Sequence, residues 1–181
     1  MATKPVLSFS HVGIWVTDLE TMKDFYTGVL GFVMTDRGPI GDTELVFLSQ
    51  SPSDHHQVVL ARGRPADLGF TTINQISFKL DRLETLKAMH GELVKHGVKE
   101  LVQISHGNAW SVYFKDPEGN RIEMFVDTPW YTPQPCREPL DLTQSVEHIM
   151  KTTEEYCRSR PRFQTETAWR RDLADRIAAS R

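Results

Sequence analysis

Short apolar runs separated by glycine, proline, aspartate and serine dominate the chain, and only four stretches carry the three-to-four spacing of a helix. Phe9 to Val16 reads as a strand. Asp18 caps a helix from Leu19, whose apolar positions Leu19, Met22, Phe25, Tyr26, Val29 and Leu30 keep helical spacing up to Gly31. Phe32 to Thr35, Glu44 to Ser49 and His56 to Ala61 are strand-like, bounded by turn residues. The order is β-α-β-β-β.

The second half repeats this order. Displaced by about sixty-four residues, His11 falls on Gln75 and Leu19-Glu20-Thr21-Met22-Lys23 falls on Leu83-Glu84-Thr85-Leu86-Lys87. Gln75 to Leu80 is the strand. Leu83, Leu86, Met89 and Leu93 line the helix, and Gly97 follows it. Val98 to Ile104, Trp110 to Phe114 and Arg121 to Val126 supply three more strands. The predicted fold class is therefore α+β: two βαβββ modules, residues 6–62 and 70–127, each with an apolar sheet face, paired into one cupped mixed sheet over residues 6–127.

From Asp127 the pattern changes. Recurrent prolines between Thr128 and Pro135 exclude a central strand or helix, so an extended arm lying on the module pair and anchored by Trp130 and Tyr131 is expected, also suited to reach a second copy. Ser145 then caps a helix carrying Val146, Ile149, Thr153 and Tyr156, which Pro161 stops. Thr165 caps a last helix with Trp169, Leu173 and Ile177. Residues 128–181 are read as an arm and helical tail.

Composition narrows the function classes. A net charge of −3 gives no reason to expect nucleic acid or a membrane surface, and no apolar run is long enough to span a bilayer. Met1 to Ser8 has no core of signal-peptide length. Cys136 and Cys157 are then expected as reduced thiols of a cytoplasmic protein.

The most informative stretch runs from Lys115 to Phe125. Asp116-Pro117-Glu118-Gly119 is turn chemistry between two strands. Glu123 sits among Ile122, Met124, Phe125 and Val126, where a carboxylate is costly unless it is paired or binds a cation; on local sequence alone a solvent-facing strand position is an equal reading. The internal symmetry relates His11 to Gln75 and Gln57 to Glu123. Strand alternation puts His55 on the face of Gln57 and, where the strand is regular, His56 on the opposite one; both stay open as the histidine that faces the site.

The repeat, with His11-Val12-Gly13-Ile14-Trp15-Val16, Phe25-Tyr26, Val29-Leu30-Gly31-Phe32 and the run Asp116-Pro117-Glu118-Gly119-Asn120-Arg121-Ile122-Glu123, resembles the vicinal oxygen chelate superfamily. That superfamily includes glyoxalase I, fosfomycin-resistance enzymes and type I extradiol ring-cleaving dioxygenases. The resemblance implies that His11, Gln75 and Glu123 hold one divalent metal, with Gln57 as a fourth candidate.

Within the superfamily the chain looks most like a small one-domain extradiol dioxygenase. His55-His56 resembles the segment carrying an acid/base histidine. His106-Gly107-Asn108-Ala109-Trp110-Ser111-Val112-Tyr113 resembles the stretch whose histidine and tyrosine hydrogen-bond substrate or oxygen. The implied activity is cleavage of a catechol-type ring with dioxygen. Fe(II) is the favoured metal, with Mn, Ni or Zn as others, and His55, His56, His106 and Tyr113 are the catalytic candidates. Gln75 departs from the two-histidine, one-carboxylate set of those enzymes. Two other readings follow from the same resemblance: a glyoxalase-like isomerase or lyase using Ni, Zn or Mn with Gln57 as ligand, and a metal-free small-molecule-binding module. A small-molecule substrate and a homodimer are expected.

Overall fold

The computed structural model describes residues 5–65, 67–69 and 71–180; the expected module boundary at residue 70 lies outside them, as does the start of the chain. In its first half β1 (Val12–Val16) is followed by α1 (Leu19–Gly28), β2 (Val33–Ile40), β3 (Thr43–Ser49) and β4 (Val58–Arg62). The second half has β5 (Ile76–Lys79), α2 (Leu83–Lys95), β6 (Val102–Ser105), β7 (Ala109–Lys115) and β8 (Arg121–Asp127). Both copies are βαβββ. The first strands start at Val12 and Ile76 and the helices at Leu19 and Leu83, which keeps the offset of about sixty-four residues.

The two halves form separate mixed sheets. The first has the order β1-β4-β3-β2, with β1 and β4 parallel. The second sheet is extended by β10 (Glu138–Pro139) to the order β10-β6-β7-β8-β5, with β5 and β8 parallel. In both modules the helix follows the first strand, and that strand lies beside the fourth.

Local chemistry explains the ends of these elements. The Asp18 carboxylate accepts from the backbone N–H groups of Glu20 and Thr21, satisfying donors that α1 cannot pair internally. Leu19, Met22 and Tyr26 recur on the buried face of α1, and Leu83, Leu86 and Leu93 on that of α2. Gly119 takes φ +82° at the end of the Asp116–Gly119 turn, as that turn requires.

Contacts divide the described chain into two compact units. One comprises 6–75 together with 115–121; the other holds 76–114 and 122 onward. The β7–β8 turn therefore belongs with the first module. Glu118 accepts from the backbone N–H groups of Thr17 and Asp18 at 2.7 and 2.8 Å, and Arg64 donates to the Glu118 carbonyl at 3.0 Å. Asp116 is buried in the same unit. It is held by Asn120 and the Glu118 backbone, and Tyr26 donates to it at 3.5 Å. Burial pushes the Tyr26 hydroxyl well above its ordinary range, and likewise raises the Asp116 carboxyl.

The arm packs on the second module. Trp130–Tyr131 forms a two-residue strand, β9, paired with β11 (Gln164–Thr165), and the ring of Tyr131 stacks on Trp169 with centroids 5.1 Å apart. Pro129 and Pro133 bracket Trp130, Tyr131 and Thr132 and keep this strand short. The tail helices are α3 (Val146–Ser159), capped by Ser145, and α4 (Glu166–Ala179), capped by Thr165. No described helix is long and apolar enough to cross a membrane, and both cysteines are free thiols.

Candidate functional site

The site residues fall into two groups, one in each unit. In the second unit, β8 carries Glu123 between Ile122 and Met124, and its side chain is almost fully buried. Parallel pairing places Ser77 of β5 opposite it, so the Ser77 hydroxyl donates to Glu123 Oε2 at 2.6 Å. Tyr113, on β7, donates to Glu123 Oε1 at 2.5 Å. The Tyr113 hydroxyl also lies 2.9 Å from His106 Nε2, and His106 Nδ1 lies 2.6 Å from the carbonyl of Cys136. His106, Tyr113 and Glu123, singled out separately along the chain, are one hydrogen-bonded series.

A tight turn positions His106. The strands β6 and β7 are joined through Gly107 and Asn108, with the His106 N–H donating to the Ala109 carbonyl at 2.8 Å. Gly107 has φ +73°, and a Cβ there would sit 2.2 Å from Thr132 Cγ2. The arm closes over this turn: Gln134 donates to the His106 carbonyl at 2.7 Å, and Thr128 to that of Gly107 at 2.6 Å.

Tyr113 has one hydroxyl proton, which it gives to Glu123, so its oxygen is left to accept at the His106 contact.

The second group lies in the first unit. His11 precedes β1, and its ring meets that of His56 edge-on with centroids 4.4 Å apart. Phe47 packs against both His55 and His56, at 5.8 and 5.2 Å. His55 Nδ1 is 2.9 Å from His56 Nδ1, and His55 Nε2 is 3.1 Å from Asp36 Oδ2. Partial burial, then the neighbouring His11 and His55, hold the His56 pKa below its ordinary value.

Alternation fails at these two histidines. The ladder of β4 begins at Val58, and His55 and His56 lie in the bend before it, where the Ser49 hydroxyl donates to the Ser51 and Asp54 carbonyls. His56, not His55, therefore meets His11. The Gln57 amide oxygen accepts from the Gln50 N–H at 2.8 Å.

Of the expected ligands, His11 and Gln75 belong to the first unit and Glu123 to the second. Gln75 is half-buried directly before β5. Among the described residues no three His, Cys, Asp or Glu side chains are grouped to hold a metal. The donor chemistry itself fits a divalent cation: an imidazole nitrogen, an amide oxygen and a carboxylate suit borderline metals such as Fe, Mn, Ni or Zn.

Two participants were missed from the sequence, Ser77 and Asp36. Ser77 could have been found from the repeat, which sets the strand of Gln75 beside that of Glu123. Asp36 depends on a register shift in β2 between Met34 and Asp36, for which the sequence carries no signal.

Comparison with known proteins agrees with the fold. The family model described as the Glyoxalase/Bleomycin resistance protein/Dioxygenase superfamily matches residues 8–124, and this chain belongs to that family. It is similar to biphenyl-2,3-diol 1,2-dioxygenase 2 of Rhodococcus globerulus, 28% identical over 123 residues, covering 66% of this chain and 62% of that protein. It is 30% identical over 142 residues to catechol-2,3-dioxygenase of Bacillus subtilis (strain 168), covering 71% of this chain but 46% of that protein. The chain thus spans less than two thirds of either relative. Among solved structures, a glyoxylase/bleomycin resistance protein/dioxygenase domain from Frankia sp. EAN1pec superimposes with a TM-score of 0.60 at 22% identity, over 68% of this chain and 94% of that one. Members of the superfamily commonly bind divalent metals.

Proposed function

We propose that this protein is a metal-dependent dioxygenase that cleaves a catechol-type ring with dioxygen, and that His11, Gln75 and Glu123 hold Fe(II). The observation that carries the proposal is the series from the Cys136 carbonyl through His106 and Tyr113 to Glu123. A buried carboxylate at the expected ligand position is joined to the two side chains expected to steady an anionic substrate. Similarity to two enzymes named for vicinal aromatic diols supports the choice of substrate class.

When bound, the metal supplies positive charge for a vicinal diol and a redox partner for dioxygen. His56 serves as the base for a substrate hydroxyl. Its lowered pKa favours the neutral ring, so a ring nitrogen can accept. The Tyr113 hydroxyl donates to oxyanions and recovers its proton from His106 Nε2. His55, more exposed and paired with Asp36, has no direct role in this scheme. The protein acts as a homodimer in this reading. Exposed Val33, Met34 and Ile40 on edge strand β2 support this better than the arm does, and sedimentation at micromolar concentration tests it.

The deciding experiment is anaerobic loading with Fe(II), followed by oxygen and either catechol or biphenyl-2,3-diol. Ring cleavage consumes one dioxygen per diol and yields a coloured product. Absence of both turnover and tight metal binding would replace this reading with that of a small-molecule-binding module.

A further inference from the structure

We propose that Asp36 and His55 are positioning residues that fix the tautomer of His56, holding its proton on Nδ1 and leaving the lone pair on Nε2. The proposal deepens the dioxygenase reading, on which the role of His56 as base rests.

A carboxylate only accepts, so the 3.1 Å contact between Asp36 Oδ2 and His55 Nε2 places the His55 proton on Nε2. A neutral imidazole has one N–H, which leaves His55 Nδ1 as an acceptor. The 2.9 Å contact between the two Nδ1 atoms is then donated by His56. His56 Nε2 consequently carries no hydrogen. Free imidazole side chains in water favour the opposite tautomer, so this assignment requires a cause, and the Asp36–His55 pair is that cause.

The fold holds the three groups in place. The register shift in β2 makes Asp36 the cross-strand partner of Phe47, so both side chains lie on one face. The ring of Phe47 touches both imidazoles edge-on, and His11 backs His56 at 4.4 Å. His56 is thus gripped on two sides, while Asp36 and His55 stay largely exposed. Exposure matters for testing: changing either should leave the core intact.

The experiment is nitrogen NMR of histidine-labelled, metal-free protein at pH 8, above the ordinary imidazole range, with the His56 signals assigned by their loss in His56→Gln. In the unchanged protein His56 should show a protonated Nδ1 and an unprotonated Nε2. His55→Phe should shift His56 to the solution tautomer, Asp36→Ala should do so in part, and Asp36→Asn, whose amide oxygen still accepts, should restore the original signals. On the Fe(II) enzyme His55→Phe should lower kcat by about 10-fold with KM unchanged, less than the about 10²–10⁴-fold that acid–base catalysis supplies, because the base itself remains. An Nε2–H tautomer in the unchanged protein, or one that ignores both His55→Phe and Asp36→Ala, overturns the proposal. A tautomer that responds in a protein that cleaves no diol leaves the positioning role standing and removes the dioxygenase reading alone.

Discussion

The Glu123 series and the His11–His56 cluster occupy the two copies of one repeat, yet they are built in opposite ways. Glu123 lies inside a central strand, flanked by buried apolar residues, and its partners Tyr113 and Ser77 come from the strands on either side. The histidine cluster hangs on the end of a strand and a bend, with its outer members in water. A polar group in a sheet interior can be held only by neighbours that the ladder itself brings into place. One at a strand end can recruit partners from any nearby loop. The inner group should accordingly be rigid and intolerant of change, and the outer one adjustable.

The sharpest way to break this contrast is Glu123→Gln. Metal and turnover should vanish together, a loss beyond the about 10–100-fold typical of residues standing behind metal ligands. Metal analysis beside the ring-cleavage assay checks it, and an unchanged circular dichroism spectrum shows that the fold survives. Retention of stoichiometric iron by that variant would remove Glu123 from the ligand set.

Tyr113→Phe comes next. It deletes the hydroxyl joining His106 to Glu123, so kcat should fall by roughly 10²-fold while metal content holds. Stability should also drop by about 1–3 kcal/mol, because Glu123 loses a donor in a buried setting. A matching fall in metal content would mean that Tyr113 supports the ligands rather than the substrate.

Gly107→Ala probes the inner group through its backbone. Its φ of +73° disfavours a side chain, and the new methyl would meet Thr132. A cost of about 1–3 kcal/mol is expected, read as a lowered midpoint in urea. Turnover per folded molecule should fall as well, since His106 is the adjacent residue.

The smallest effect lies in the loop ahead of α3. Asp141 accepts from Thr143 and Gln144 ahead of α3, and these bonds hold its pKa at about 2. A carboxyl lowered on folding contributes stability above its unfolded value of 3.8 and loses it as pH falls towards 2. Thermal melts of the unchanged protein and of Asp141→Ala should therefore differ at pH 6 and converge between pH 4 and pH 2. A gap that persists at pH 2 would show that the turn is held by something other than this charge.

Much of the architecture was legible from local chemistry. Asp18, Ser145 and Thr165 cap the helices as their side chains suggest, because an N-cap acts on residues two or three positions away. The repeat fixed the offset between modules, and its last strands led to Glu123. Strand alternation failed at His55 and His56 because period two holds only within a paired ladder, and the ladder starts at Val58.

The sequence by itself thus determined the two βαβββ modules, the Asp116–Gly119 turn and the candidates His11, His106, Tyr113 and Glu123. Each of these depends on neighbours within a few positions or on the internal symmetry. Only the tertiary structure decided which histidine meets His11, that Asp36 stands behind His55, and that Ser77 and the Cys136 carbonyl complete the inner series. Those contacts join residues 19 to 46 positions apart, through a register shift, a parallel pairing and an arm folded over a turn. No local preference encodes such contacts, because their hydrogen bonds exist only once the chain has packed.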